Sequence, residues 1–192
     1  MKRIGILGGT FDPLHQGHMI IAEHVYEALK LDEIWFIPSH LPPHKQEATV
    51  SSEDRLQMVK EAIKGNPHFH VSAIEIEREG KSYTIDTIKH LKGAYPEHKF
   101  CFIIGGDMVQ YLPQWHRIDE LRQLVQFVGV GRKEITGKDL NEDVQMVEIP
   151  RVDISSSIIR DRLSHDQSIR YLVPESVFEY VKEKSLYEPK SE

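Results

Sequence analysis

Six short apolar runs recur along the chain, separated by segments of helical period, and this alternation restricts the fold more than any other feature. The runs are Arg3 to Leu7, Glu33 to Ile37, His70 to Ile76, Phe100 to Ile104, Phe127 to Val130 and Val144 to Ile149. Between the first two lies a helix from about Gly17 to Lys30, on which Ile21, Val25 and Leu29 share one face. A second helix opens at Ser51, with Asp54 placed to complete an acidic capping box, and a third spans Thr84 to Leu91 before Pro96. The stretch from Ile158 to about Lys184 has helical period, and Pro174 is acceptable at a helix start. The pattern predicts an α/β protein with a doubly wound, mostly parallel sheet, helices on both faces, and a helical C-terminal part at about 156–186. With 192 residues, residues 1–192 are expected to form one domain.

Charge and composition narrow the partners. A formal net charge of −6 argues against a broad nucleic-acid surface, which needs clustered lysine and arginine to neutralise phosphates. No apolar stretch is long enough for a membrane span, and the run after Met1-Lys2-Arg3 is too short for a secretory signal. The single cysteine, Cys101, sits inside an apolar strand and reads as a small buried hydrophobe. A cytoplasmic location fits these features.

Most of the chemistry is concentrated after the first run, in Gly8-Gly9-Thr10-Phe11-Asp12-Pro13-Leu14-His15-Gln16-Gly17-His18. A Walker A loop needs a lysine after its glycines, and a dinucleotide fingerprint needs G-x-G-x-x-G; neither spacing occurs here. Glycines without a Cβ still let backbone N–H groups approach a ligand. His15 and His18, three residues apart at a helix start, point to one side beside an N-terminus that favours anions. Imidazole donates hydrogen bonds to phosphate oxygens and takes up charge near neutral pH. In open α/β sheets, ligands bind beyond the carboxyl ends of the strands, where this turn, Gly105-Gly106-Asp107 and Gly131-Arg132 are all expected.

The segment His15-Gln16-Gly17-His18 resembles the H-x-G-H signature of nucleotidyltransferases that transfer adenylyl groups on a Rossmann-like fold. Ile154-Ser155-Ser156-Ser157-Ile158-Ile159-Arg160 is similar to the I-S-S-T-x-I-R motif of the same families, with Ser157 where threonine is usual. The likeness is greatest to bacterial nicotinate-nucleotide adenylyltransferases, through Trp35 to Lys45, Ser82 to Thr87 and Ile103 to Trp115, and it runs nearly end to end. Lys133 stands where many relatives have proline, and His116 where tyrosine is frequent. The resemblance implies adenylyl transfer from ATP to nicotinate mononucleotide, with Mg2+ carried on the triphosphate. It implies catalytic roles for His15, His18 and Arg160, and ATP contacts from Gly8, Gly9, Thr10, Phe11, Gly105, Asp107, Arg132, Ser155 and Ser156 as well. On the acceptor side it implies Lys45, Thr84, Asp107, Tyr111 and Trp115, the last against the pyridine ring.

Arg160 is unusual in the first turn of a helix, where cations are disfavoured, and a polyphosphate there would resolve the mismatch. The nearest rival is a phosphopantetheine adenylyltransferase, against which His15 and the segment around Trp115 speak. A non-catalytic nucleotide-binding module would keep the glycine turn without needing both histidines and Arg160, and an RNA-linked synthetase fragment is disfavoured by the acidic balance. The partners are therefore expected to be ATP and nicotinate mononucleotide, with no nucleic acid or membrane, and a homo-oligomer left open. The loop around Pro42 and Pro43 is the candidate for ordering on substrate binding.

Overall fold

The computed structural model describes residues 1–41, 48–131 and 143–188. Six strands form one parallel sheet in the order β3-β2-β1-β4-β5-β6. They are β1 (Arg3–Gly9), β2 (Glu33–Pro38), β3 (Phe69–Val71), β4 (Lys99–Gly105), β5 (Gln126–Gly131) and β6 (Val144–Glu148). The helices are α1 (Gln16–Leu29), α2 (Ser52–Ile63), α3 (Ile74–Arg78), α4 (Thr84–Ala94), α5 (Ile118–Leu124), α6 (Ser156–Ser164) and α7 (Glu175–Glu183), with a 3₁₀ segment at Gly106–Gln114. This is the doubly wound, Rossmann-like α/β arrangement that the alternating pattern predicts.

Strand periodicity sorts the side chains into two cores. Leu7, Ile34, Phe36, Ile103 and Val128 face one side and meet Ala22 and Val25 of α1, Met58 and Val59 of α2, Ile159 of α6 and Val177 of α7. Ile4, Ile6, Phe100, Phe102 and Phe127 face the other side, against Ile85 and Ile88 of α4, Leu121 of α5 and Leu112 of the 3₁₀ segment. Both faces of the central strands are thus covered, as their continuous apolar runs require. Cys101 is buried, and that burial pushes its thiol up to about 11, so it remains a protonated core side chain. No helix among the described residues is long and apolar enough to cross a membrane.

Two expected elements change. The run His70 to Ile76 ends as a strand at Val71, and Ile74 begins the short helix α3, which places Glu75 in the interior. Apolar residues at 74 and 76 suit a strand or a buried helical turn equally, so the short run does not discriminate. The C-terminal helical stretch is two helices. Residues 165–174 between them hold Asp166 and Tyr171 at φ 54° and 70°, which a continuous helix does not admit. The loop at 133–143 and the Pro42–Pro43 segment fall wholly or largely outside the described residues.

Ser51 caps α2, accepting the Asp54 N–H at 3.0 Å. One turn on, Arg55 is 1% exposed and fastens two loops at the carboxyl end of the sheet. Its Nη1 donates to the carbonyls of Thr10 and Ser39, both at 2.7 Å, and Nη2 to that of His40 at 3.3 Å. Burial lowers the guanidinium's affinity for its proton, while Asp12 and Tyr187 oppose that shift. Replacing it removes the donors of three carbonyls, so Arg55→Met should lower the unfolding free energy by about 2–4 kcal/mol in urea titrations. A loss below about 0.5 kcal/mol, within the range of ordinary surface substitutions, would show that the two loops do not depend on it.

Candidate active site

The chain leaves β1 towards α1 on one face of the sheet and leaves β4 towards the 3₁₀ segment and α5 on the other. Because β1 and β4 are neighbours, their outgoing connections diverge and open a crevice at the carboxyl edge. A cavity of about 290 Å³ lies there. Gly8, Gly9 and Thr10 form one wall, Thr84 and Trp115 belong to others, and Glu75, Ser82 and His116 also line it.

On the β1 side the glycine turn is tightly packed. A Cβ on Gly8 would come 3.2 Å from the Phe102 ring and one on Gly9 3.0 Å from that of Phe11, so neither position has room for a side chain without adjustment. Phe11 adopts φ 51°, a left-handed conformation costing about 1–3 kcal/mol for a non-glycine residue. Its buried ring, edge-on to His18 at 5.0 Å and tilted on Phe36 at 6.0 Å, offsets that cost.

His15 is the residue before the first turn of α1, and His18 lies within that turn. Their rings stack at 3.7 Å between centroids. The His15 N–H donates to Nδ1 of His18 at 3.2 Å, which places the proton of a neutral His18 on Nε2. His15 is 8% exposed, and its Nδ1 has no hydrogen-bond partner among the described residues. Burial lowers its pKa to about 4, so its imidazole is neutral at pH 7 in the free protein.

The serine motif docks on the same turn from the far end of the chain. Ser155 caps α6, accepting from the Ile158 N–H at 3.2 Å, while the Ser156 hydroxyl donates to the Pro13 carbonyl at 2.9 Å. Arg160 Nη1 donates to the Asp12 carbonyl at 2.7 Å, and Nη2 to the Ser157 hydroxyl at 3.4 Å. The expected first-turn placement of Arg160 is corrected here. The helix begins at Ser156, so Arg160 lies beyond its first turn, and the guanidinium already has the Asp12 carbonyl and Ser157 as partners.

On the β4 side, Thr84 opens α4 beside Tyr83 and Ser82, whose hydroxyl accepts the His40 N–H at 2.9 Å. Glu75 lies beneath them and accepts the Thr87 hydroxyl at 2.7 Å, and burial raises its pKa. Trp115 sits edge-on against Phe102 at 5.9 Å and Phe127 at 6.1 Å, with its ring at the cavity. His116 tilts onto Tyr83 at 4.7 Å. Gly105, Asp107 and Tyr111 lie at or on the 3₁₀ segment but do not line the cavity; Asp107 is exposed, and Tyr111 is 45% exposed. Lys45 and Arg132 lie outside the described residues.

Sequence reading gave no role to Asp12, Arg55, Glu75 or Tyr187. Asp12 stands inside the quoted glycine motif, which was its only signal. The other three act through contacts between residues far apart in the chain, which leave no local pattern.

The depressed His15 pKa has a thermodynamic consequence. Its folded value of about 4 lies below its ordinary 6.5, so its contribution to stability is fully present above pH 6.5. That contribution is lost as pH falls from 6.5 towards 4, because the unfolded chain takes up the proton more readily. Between those limits, wild type should lose roughly 2 kcal/mol more than His15→Gln in urea titrations, after discounting for partial burial. Parallel stability curves for the two proteins would show that His15 is not desolvated as described.

Comparison with known proteins shows the family and the fold. The cytidylyltransferase-like family model matches residues 6–162. A protein of Oceanobacillus iheyensis named "Probable nicotinate-nucleotide adenylyltransferase" is 52% identical over 187 residues, covering 97% of this chain and 97% of that protein. A protein of the same name from Geobacillus thermodenitrificans is 55% identical over 188 residues, covering 97% of this chain and 87% of its own. Among solved structures, Plasmodium falciparum nicotinic acid mononucleotide adenylyltransferase complexed with NaAD superposes with a TM-score of 0.80 at 20% identity, covering 97% and 98% of the two chains, a likeness of fold. By sequence, fold and family match, the chain belongs to the cytidylyltransferase-like nucleotidyltransferases, in the family of nicotinate-nucleotide adenylyltransferases.

Proposed function

We propose that the crevice between β1 and β4 holds ATP and nicotinate mononucleotide together and joins them into nicotinate adenine dinucleotide, releasing pyrophosphate, as a step in NAD synthesis. The observation that carries this reading is the two-sided site. The glycine turn lines a cavity walled by the start of α4 and by Trp115, and the same turn runs on into the stacked histidine pair and holds Arg160 through the Asp12 carbonyl, although none of these three side chains lines the cavity itself. The family name of the relatives and the NaAD held by the Plasmodium protein support the choice of acceptor.

In this reading, a phosphate oxygen of the mononucleotide attacks the α-phosphorus of ATP. The bond to the bridging α–β oxygen breaks, and pyrophosphate departs with that electron pair. The attacking oxygen is already ionised near neutral pH, so positioning and charge neutralisation do most of the work. Gly8, Gly9, Thr10 and Phe11 bring backbone close to the nucleotide. His18, with its proton on Nε2, donates to the α-phosphate region. His15, neutral in the free protein, gains affinity for a proton when an anion arrives beside it. Arg160, with Ser155 and Ser156, meets the β- and γ-phosphates, where a guanidinium fork suits phosphate oxygens. Gly105, Asp107 and Arg132 are assigned to the nucleoside side of ATP, and Asp107 also to a ribose.

The pyridine ring is assigned to Trp115, its carboxylate to Thr84 at the start of α4 and to Tyr111, and Lys45 to a phosphate. A helix N-terminus favours that carboxylate over a carboxamide, which brings an N–H donor where an acceptor is wanted. Magnesium fits as a companion of the triphosphate. Magnesium at such sites keeps several waters and is held largely through phosphate oxygens. When bound, it would neutralise charge on the departing pyrophosphate.

Purified protein should release pyrophosphate from ATP with nicotinate mononucleotide much faster than with nicotinamide mononucleotide or phosphopantetheine. No turnover with any of the three acceptors would refute the assignment, and a preference for phosphopantetheine would move it to that chemistry. His18→Ala should lower kcat about 100-fold with the fold intact by circular dichroism. An unchanged kcat would remove His18 from the transition-state site.

A further inference from the structure

Asp12 is 5% exposed and is the meeting point of four segments of the chain. Its Oδ2 accepts the Thr49 N–H at 2.8 Å, and its Oδ1 accepts the Tyr187 hydroxyl at 2.8 Å. Its backbone carbonyl, not its carboxylate, holds Arg160 Nη1 at 2.7 Å, whereas Oδ2 stands 3.8 Å from the same nitrogen, beyond hydrogen-bond length. Tyr187 reaches this point because the chain turns back after α7. Leu186 N–H bonds to the Val181 carbonyl at 3.0 Å, and Ser185 and Tyr187 take φ 47° and 66°.

A buried carboxylate beside an arginine would ordinarily form a close ion pair with it. Here each carboxylate oxygen already accepts one donor, Thr49 N–H on Oδ2 and the Tyr187 hydroxyl on Oδ1, and Oδ2 stands 3.8 Å from Arg160. Burial, followed by the Asp12 carboxylate, raises the Tyr187 pKa, so the phenol stays a donor. Without the hydroxyl, Oδ1 lacks a donor, and the cation 3.8 Å from Oδ2 is a ready replacement. That rearrangement would draw the guanidinium onto Asp12 and away from a bound anion.

We propose that Tyr187 is a positioning residue for ATP: by occupying the Asp12 carboxylate, it leaves Arg160 available to the nucleotide's phosphates. The inference rests on the assignment of Arg160 to those phosphates. It gives the turn after α7 a role in nucleotide affinity beyond closing the fold.

The test measures ATP and nicotinate mononucleotide dissociation constants by calorimetry for wild type, Tyr187→Phe, Arg160→Ala and the double variant. Tyr187→Phe should weaken ATP about three- to tenfold, the scale of one ordinary hydrogen bond, with nicotinate mononucleotide affinity unchanged. In the Arg160→Ala background the same change should have no further effect on ATP, because its route of action is gone. Unchanged ATP affinity in Tyr187→Phe, equal weakening of both ligands, loss of the fold, or additive effects in the double variant would each overturn the proposal. If Arg160→Ala itself binds ATP as wild type does, the assignment of Arg160 fails and this inference with it. An intact Arg160 effect beside a silent Tyr187→Phe refutes the tyrosine's role alone.

Discussion

Strands β1 and β4 lie side by side although the chain visits β2 and β3 between them, and their outgoing connections fold onto opposite faces of the sheet. A crevice at that point follows from parallel topology and needs no special residue to create it. What the residues supply is the content of its walls. The glycine turn and α1 lie on one side, and the start of α4 with the 3₁₀ segment on the other. The cavity where both meet is a consequence of this divergence. The remaining contacts hold the walls at a fixed separation, which is what an in-line displacement between two bound substrates requires.

Charge is managed within this frame by burial that disfavours ionisation and by hydrogen bonds to the backbone. His15 is desolvated and neutral, Glu75 is raised by burial beneath the start of α4, and Arg55 gives its guanidinium protons to backbone carbonyls. Arg160, less buried, is held by the Asp12 carbonyl and Ser157 instead of a close carboxylate pair. A site arranged this way presents hydrogen-bond donors to an incoming polyanion without first having to break a strong ion pair. Thr49, Arg160 and Tyr187, widely separated in sequence, all converge on Asp12, which ties the turn after β1 to the end of α7 and beyond.

The alternation of apolar runs and helical periods made the sheet legible, because strands buried on both faces leave continuous apolar segments. It failed at Ile74 to Ile76, where two apolar residues flank Glu75 and serve a helical turn as well as a strand. It also joined α6 to α7, since helical period does not register the left-handed residues that separate them. In the candidate site, the structure brings together residues from compact motifs: Gly8, Gly9, His15, His18, Ser156 and Arg160 lie on or bond to one turn. Arg55 and Tyr187 were not legible, because a buried guanidinium or phenol looks like a surface residue until its distant partners are known. The dipole mismatch inferred at Arg160 rested on the wrong boundary, since α6 starts two residues before the expected Ile158 and Arg160 lies beyond its first turn.

If both substrates occupy the crevice together, the adenylyl group passes between them in a single displacement, and neither histidine carries it covalently. The stereochemistry at the α-phosphorus tests this most directly, using ATP made chiral there by one sulfur substitution and analysing the dinucleotide product. Inversion of configuration is the expected result. Retention would mean two displacements through an adenylylated residue, and would contradict a site whose histidines bind phosphate without forming a bond to phosphorus.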